Sequence, residues 1–395
     1  MDFGFGKEQR GIRERAADFA DREVAPHAAE LDREDRVPFE TLEKLSEMGF
    51  MGLCVPEEYG GAGADFVSYC LLIEELSRAD AGVGVTLAVH TSAGTLPILL
   101  FGTEEQKSKW VQPLARGERI GSFALTEPST GSDAAAIETT AEKVDGGYSI
   151  SGHKQWVTNG RIAGTMILFA RAPIGVTAFI VPMDAEGVSF GKHAKKMGVI
   201  SATTDDVLLD DVFVPEENRL GEEGKGLGVA LGTLDPGRVG IAAQAVGIAE
   251  AAFRYAAGYA ARRTTFGKLI GEHQAIAFKL ADMQTKIRAA RLLVHEAAWM
   301  KDQGERVTEA GARAKLYASQ VANEVTNDAL QILGGYGYMK DESPVERYYR
   351  DARVTEIYEG TSEIQRLVIS RAILRGQTES LAEPAGVEGS RPVVG

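Results

Sequence analysis

The chain has 395 residues, 44% hydrophobic and 25% charged, the profile of an ordinary globular protein with material for two or three domains or one multilayered unit. A formal net charge of −14 speaks against nucleic-acid or anionic-membrane partners, leaving only a local basic patch to hold a phosphate. Cys54 and Cys70 lie in apolar surroundings and predict a reduced compartment without a disulfide framework. Met1-Asp-Phe-Gly-Phe-Gly-Lys-Glu holds no apolar signal region, and residues 1–35 are too acidic for a transit peptide. The expected location is cytoplasmic.

In chain order, residues 6–34 place Ile12, Ala16, Phe19 and Val24 at helical spacing and predict a surface helix broken near Pro26. Further helices are predicted over 39–49 and 65–78, separated by a turn built on Pro56, Gly60, Gly61 and Gly63. Residues 81–103 carry no Asp, Glu, Lys or Arg, and their His90, Pro97 and threonines predict a buried helix pair rather than a membrane span. Thr103-Glu-Glu-Gln106 has capping-box spacing before a helix ending near Leu114. From about Ile120 the period shortens to that of strands, with Tyr148-Ser-Ile-Ser-Gly, Thr165 to Ala170, Val176 to Val181 and Val207 to Val214. These predict a β-barrel or sandwich. The helical period returns over 238–263, 272–303 and 308–333, with Ile276, Leu280, Met283 and Ile287 forming one stripe. The expected class is α+β: an N-terminal helical domain (1–120), a middle β-domain (121–232), a C-terminal four-helix bundle (233–375) and a tail (376–395).

Several signatures fail on context. Gly187-Val-Ser-Phe-Gly191 lacks the strand–turn–helix setting of a nucleophile elbow, and the six histidines have no ligand spacing, so no metal is expected. Three stretches suit a flat polar ligand. Phe123-Ala-Leu-Thr-Glu-Pro-Ser-Thr-Gly-Ser-Asp133 is a loop dense in donors and acceptors, Trp156-Val-Thr-Asn159 sets a ring beside a hydroxyl, and Gln331-Ile-Leu-Gly-Gly335 frees backbone at a helix end. A fourth, Tyr358-Glu-Gly-Thr-Ser-Glu-Ile-Gln365, puts a carboxylate directly before a helix start that Thr361 or Ser362 can cap, with Ser362 and Gln365 at capping-box spacing.

Together with Asp235-Pro-Gly-Arg238, Arg262-Arg-Thr-Thr-Phe-Gly267 and Asp351-Ala-Arg353, these stretches resemble the acyl-CoA dehydrogenase family over about residues 1–373. The resemblance implies non-covalent FAD, with Phe123, Leu125, Thr126, Gly131 and Ser132 lining the isoalloxazine, Trp156 on one face and Thr158 near N5. It assigns Arg263, Phe266 and Gln274 to a neighbour's FAD, Gln331, Gly334 and Gly335 to the adenosine end, and Thr361 and Glu363 to the pyrophosphate. Ser132, Asp235, Arg238 and Gly360 match acyl-CoA contacts. Glu359 would take the substrate α-proton, its backbone N–H and a ribityl hydroxyl holding the thioester carbonyl. The resemblance further implies an electron-transferring flavoprotein as acceptor and a homotetramer, a dimer of dimers, with no membrane insertion and no nucleic acid. Gly237 stands where isovaleryl- and long-chain-type members carry the base, and no arginine stands near Gly84, where glutaryl-type members carry one. Competing readings are a flavin enzyme on the same scaffold that acts on another acid C–H or uses oxygen directly, the latter betrayed by peroxide, and a silent binding or assembly subunit, betrayed by colourless protein.

Overall fold

The computed structural model describes residues 4–382. Helix α1 (Lys7–Phe19) runs into a π turn (Ala20–Val24), breaks around Pro26 and resumes as α2 (Ala28–Glu34). After α3 (Phe39–Glu47) comes α4 (Phe66–Ala79), whose start is capped by the Asp65 carboxylate accepting the Ser68 N–H at 2.7 Å. Asp80 does the same for α5 (Ala81–Val89), accepting from Gly82 and Val83 at 2.8 and 3.0 Å. The expected helix pair is instead one rod: α5, a π turn (His90–Thr95) and α6 (Leu96–Phe101). By length and composition this rod could cross a membrane, yet 89% of its most apolar window is buried inside the protein. It is a core element. Two short turns, α7 (Glu104–Gln106) and α8 (Gln112–Ala115), close this part, and Thr103 with Gln106 forms the predicted capping box.

The middle part is one eight-stranded sheet: β1 (Gly121–Ala124), β2 (Thr140–Val144), β3 (Gly147–Thr158), β4 (Thr165–Ala172), β5 (Gly175–Pro182), β6 (Val188–His193), β7 (Thr204–Pro215) and β8 (Arg219–Leu220). Its path is β6-β7-β3-β2-β4-β5-β8, with β1 parallel to β4. Tyr148, Ile150, Val207 and Val212 share a core with Leu168, Ala170, Phe179 and Val181, so the sheet folds over on itself. Its edges β6 and β8 do not pair, which leaves the barrel open. The other faces of β4 and β5, with Ile167, Phe169, Ala178 and Ile180, pack on Trp110, Leu114 and Val229. Burial on both sides explains the unbroken apolar runs there.

Helix α9 (Gly226–Ala260) begins twelve residues before the expected start at 238. Pro236-Gly237 reads as a break, but α9 runs through it, giving up the one hydrogen bond that a proline cannot donate. Its start lies flush on β5, where a Cβ on Gly226 would fall 2.7 Å from Thr177 backbone. The hairpin β9 (Thr264–Thr265) and β10 (Lys268–Leu269) leads to α10 (Gln274–Asp302), α11 (Thr308–Leu333), α12 (Gly335–Tyr338), α13 (Val345–Val354) and α14 (Ser362–Ala382). In the predicted α10 stripe Met283 and Ile287 are buried, with Ile276 and Leu280 packed beside them. Helix α14 extends through residues 376–382, where a tail was expected; the rest of that stretch lies outside the described residues.

The two helical parts are not separate units. One hydrophobic core joins Leu72, Ile73, Val83 and Leu87 of the first to Val239, Val246, Ile287 and Val325 of the second. Inside the seam, Arg291 of α10 donates from Nε to Glu74 of α4 and from Nη2 to Glu250 of α9, both at 2.9 Å. Arg291→Met would strand Glu74 and leave Glu250 with Arg254 alone, and is expected to cost about 3–5 kcal/mol, read as a lower midpoint in urea unfolding.

Candidate active site

A cleft of about 210 Å³ opens where β1, the end of β3, the α5 rod, α9 and the start of α14 meet. Phe123, Leu125, Thr126, Gly131, Ser132, Trp156, Thr158, Arg238, Glu359 and Gly360 all line it. Four motifs far apart in sequence therefore share one wall.

The wall from the sheet is built by a bulge. Along β3 the inward positions are Tyr148, Ile150 and Lys154, all fully buried, and by parity Trp156 would follow them inward. A register shift between Lys154 and Val157 inserts one residue and buries Val157 instead. Trp156 takes a left-handed φ of 58° and swings out, 61% exposed, into the cleft. Beneath it Lys154 donates to Glu127 at 2.6 Å and to the Leu125 carbonyl at 3.2 Å. Glu127 also accepts the Glu138 and Thr139 N–H groups at 2.5 and 3.0 Å, so the loop after β1 is pinned from below. Burial pulls the Lys154 ammonium down to about 8, against the opposing pull of Glu127.

The opposite wall carries the carboxylate. Tyr358 is anchored through its hydroxyl, which donates to Gln244 Oε1, while Gln244 Nε2 donates to the Ala81 carbonyl at 2.8 Å. Glu359 and Gly360 then take consecutive left-handed φ values of 55° and 89°. Such a conformation in a non-glycine residue costs roughly 1–3 kcal/mol and is held only by its surroundings. Gln365 supplies part of that hold, its Nε2 donating to the Glu359 carbonyl at 3.1 Å and the Gly360 carbonyl at 2.8 Å. The capping box proposed for Ser362 and Gln365 does not form: Thr361 caps α14, accepting the Ile364 N–H at 3.4 Å, and Gln365 turns to the carbonyls. Glu359 Oε2 is buried with no hydrogen-bond partner, and the Glu359 N–H has no acceptor among the described residues. Burial pushes this carboxyl up to about 7, opposed by the charges of Arg238 and Lys315. Gly237 faces it across α9, where a Cβ would fall 2.6 Å from Oε2. Arg238 is itself buried and donates to Asp235 at 2.7 Å; Asp235 sits behind it, bonded also to Thr308.

The remaining predicted residues lie elsewhere. Gln331, Gly334, Gly335 and Arg263 line a second hollow of about 540 Å³ that shares no lining residue with the first. Gly334 and Gly335 face open space there. Phe266, at the tip of the β9–β10 hairpin, is 97% exposed, and Gln274, also exposed, starts α10; neither lines either hollow. The Glu363 side chain is 79% exposed, so any pyrophosphate at this helix start would meet backbone N–H groups rather than attractive side-chain charge. Asp351 of the Asp-Ala-Arg motif is structural: it accepts the N–H of left-handed Val199 at 2.5 Å and ties the β6–β7 loop to α13.

Sequence reading missed Lys154, Gln244 and Lys315, and gave Gln365 a different role from the one it has. Two carried a usable signal. Lys154 has the inward parity of its strand, and Lys315 sits in α11 among Gly311, Ala312, Ala318 and Ser319, with no acidic partner three or four residues away.

A flat exposed ring, polar side chains lining a cleft and a carboxylate with one buried, unpaired oxygen fit a planar redox heterocycle and point to a flavin-type dehydrogenase. The chain belongs to the acyl-CoA dehydrogenase family, matching its N-terminal domain over residues 6–118, its middle domain over 122–212 and its C-terminal domain over 224–374. It is 47% identical to the short-chain specific acyl-CoA dehydrogenase of Clostridium acetobutylicum, across 95% of this chain and all of that one. The solved butyryl-CoA dehydrogenase of Megasphaera elsdenii is 44% identical with a TM-score of 0.93, over 95% of this chain and all of that one. A chain from structural work on the electron-transferring flavoprotein of Acidaminococcus fermentans and flavin-based electron bifurcation is 47% identical with a TM-score of 0.94, over the same shares. The family is FAD-dependent, and this chain is an acyl-CoA dehydrogenase oxidoreductase.

The bulge makes a separable claim. Trp156→Gly removes little buried area and relieves a left-handed non-glycine residue. It is expected to leave the FAD-free protein as stable or up to about 1 kcal/mol more stable in urea unfolding, where a core tryptophan would lose several.

Proposed function

We propose that this dehydrogenase converts a saturated acyl-CoA to the trans-2-enoyl-CoA, with Glu359 as the base that removes the α-proton. The observation that carries the reading is the Glu359 carboxylate in the cleft wall, buried and unpaired at Oε2, where burial pushes it up to about 7. The α C–H of a thioester is a weak acid, so its removal needs a base whose pKa lies near the working pH and a donor for the developing enolate oxygen. The free Glu359 N–H is such a donor, and its left-handed turn sets it and the carboxylate on one short segment. FAD, when bound, supplies the two-electron acceptor for the β-hydride. Trp156, Thr126, Ser132 and Thr158 would hold its ring system, and α9 and the α5 rod wall the cleft on the side of the carboxylate. Loss of one proton to Glu359, together with the hydride that bound FAD would accept, balances formation of the double bond.

The short-chain name of the curated relative and the butyryl-CoA name of the structural one support a short acyl group. An electron-transferring flavoprotein is the proposed acceptor, in line with the Acidaminococcus work. A homotetramer is the proposed assembly. The bare Phe266 tip and the second hollow support a site completed between subunits, with Arg263, Phe266 and Gln274 reaching a neighbour's cofactor and Gln331, Gly334 and Gly335 receiving the adenosine end.

Two variants test the base. Glu359→Gln is expected to retain FAD yet lose anaerobic bleaching by butyryl-CoA by at least about a thousandfold; bleaching at the wild-type rate would sink the assignment. Gly237→Ala puts a methyl against Oε2 and is expected to lower kcat by about 10–100-fold, since a misplacement near 1 Å is enough. FAD content should not change.

A further inference from the structure

Lys315 is a buried lysine that the proposed reaction does not use. It lies on α11 with 0% exposure, and its Nζ donates to one group, the Gly360 carbonyl, at 2.7 Å. No carboxylate oxygen of the described residues lies within 4.0 Å of its Nζ. Burying an ammonium without a counter-ion costs several kcal/mol, so structural economy alone does not account for it. Nor does the turn need it. The Gly360 carbonyl already accepts from Gln365 Nε2 at 2.8 Å, and the same amide also reaches the Glu359 carbonyl. Gln365 is neutral and Lys315 is not. The difference between the two donors is charge.

We propose that Lys315 is a positioning residue that acts through Glu359: its ammonium, fixed behind the Glu359–Gly360 turn, makes the ionised base form available at neutral pH. This rests on Glu359 being the base. The groups that face Glu359 are few. Arg238, with Asp235 behind it, comes from α9, Lys315 from α11, Tyr69 from α4, and Tyr358 from the segment itself, while Glu356 and Glu363 act on Lys315. Only Arg238 and Lys315 favour the carboxylate, against the burial that opposes it. Arg238 is tied to Asp235 at 2.7 Å, which spends much of its field locally, whereas Lys315 has no such partner. A low-dielectric interior makes an unpaired charge effective over several ångströms. Burial also brings the Lys315 ammonium down to about 8, so its effect should fade as pH rises past that point.

The test uses the FAD-loaded enzyme and its anaerobic bleaching by butyryl-CoA between about pH 6 and pH 9. Lys315→Met leaves Gln365 to hold the turn, and FAD content and circular dichroism are expected to match wild type. The pH at which the bleaching rate reaches half its maximum should move up by roughly one unit, lowering the rate at pH 7 about 5–10-fold. The two profiles should converge above about pH 8.5. Lys315→Arg, which keeps the charge, should restore the wild-type inflection. If Lys315→Met does not fold, Lys315→Gln is measured in its place. A second readout is independent of turnover: the infrared band of the protonated Glu359 carboxyl, identified by its absence in Glu359→Gln, should titrate at higher pH in the neutral variant. An unmoved inflection and an unmoved band in the neutral variant, with Glu359→Gln inactive, overturn the proposal alone. Full activity of Glu359→Gln overturns the base assignment on which it rests.

Discussion

The site depends on keeping one carboxylate oxygen, Glu359 Oε2, buried and unpaired. A hydrogen-bond donor there would stabilise the anion and weaken it as a base. The fold achieves this burial by subtraction. Gly237 contributes no Cβ where one would fall 2.6 Å from that oxygen, so α9 itself forms the wall against it. The left-handed turn at Glu359 and Gly360 then points the carboxylate at this bare helix surface, and Tyr358, Gln244 and Gln365 hold the turn. Strain in the backbone and absence of a side chain are two halves of one arrangement.

Helix α9 is where the three parts of the chain become one object. Its first turns cover β5, its middle presents Gly237 and Arg238 to the cleft, and its second half shares a core with α4 and α5. Gln244, two turns beyond Gly237, reaches both Ala81 of the N-terminal part and Tyr358 of the base segment. A shift of α9 along its axis would therefore disturb the sheet, the carboxylate and the buried Arg291 cluster together. Pro236 in its interior gives up only one backbone bond, a small loss against burial of this extent.

What was legible from sequence follows the range of each interaction. Helical and strand periods report local burial, so the order helix–sheet–helix and the α10 stripe could be read directly. The start of α9 could not, because Pro236-Gly237 is a local stop signal that tertiary packing overrides. Trp156 and Glu359 could be flagged as residue types, and their assignment to one site came from family resemblance rather than spacing. Their left-handed backbones were invisible: neither is the glycine or asparagine that advertises such a conformation. Ser362 and Gln365 had the spacing of a capping box, yet Gln365 found better acceptors in two carbonyls that only the folded turn brings within reach.

Charge shows the same gap between composition and site. The chain carries a net −14, yet the charges that act on the cleft's carboxylate are the two cations Arg238, in its wall, and Lys315, behind the Glu359–Gly360 turn. Surface acids are screened within about 8–10 Å at ordinary ionic strength, and their sum barely reaches the interior. Buried charges are not screened in that way, so two cations outweigh a much larger surface excess at the one atom where protonation matters. Against them stands only desolvation, which raises Glu359 to about 7 and no further. The working pH of this carboxylate is thus set by a local contest among a few buried groups, and a substitution that removes one of them would shift it more than many changes at the surface.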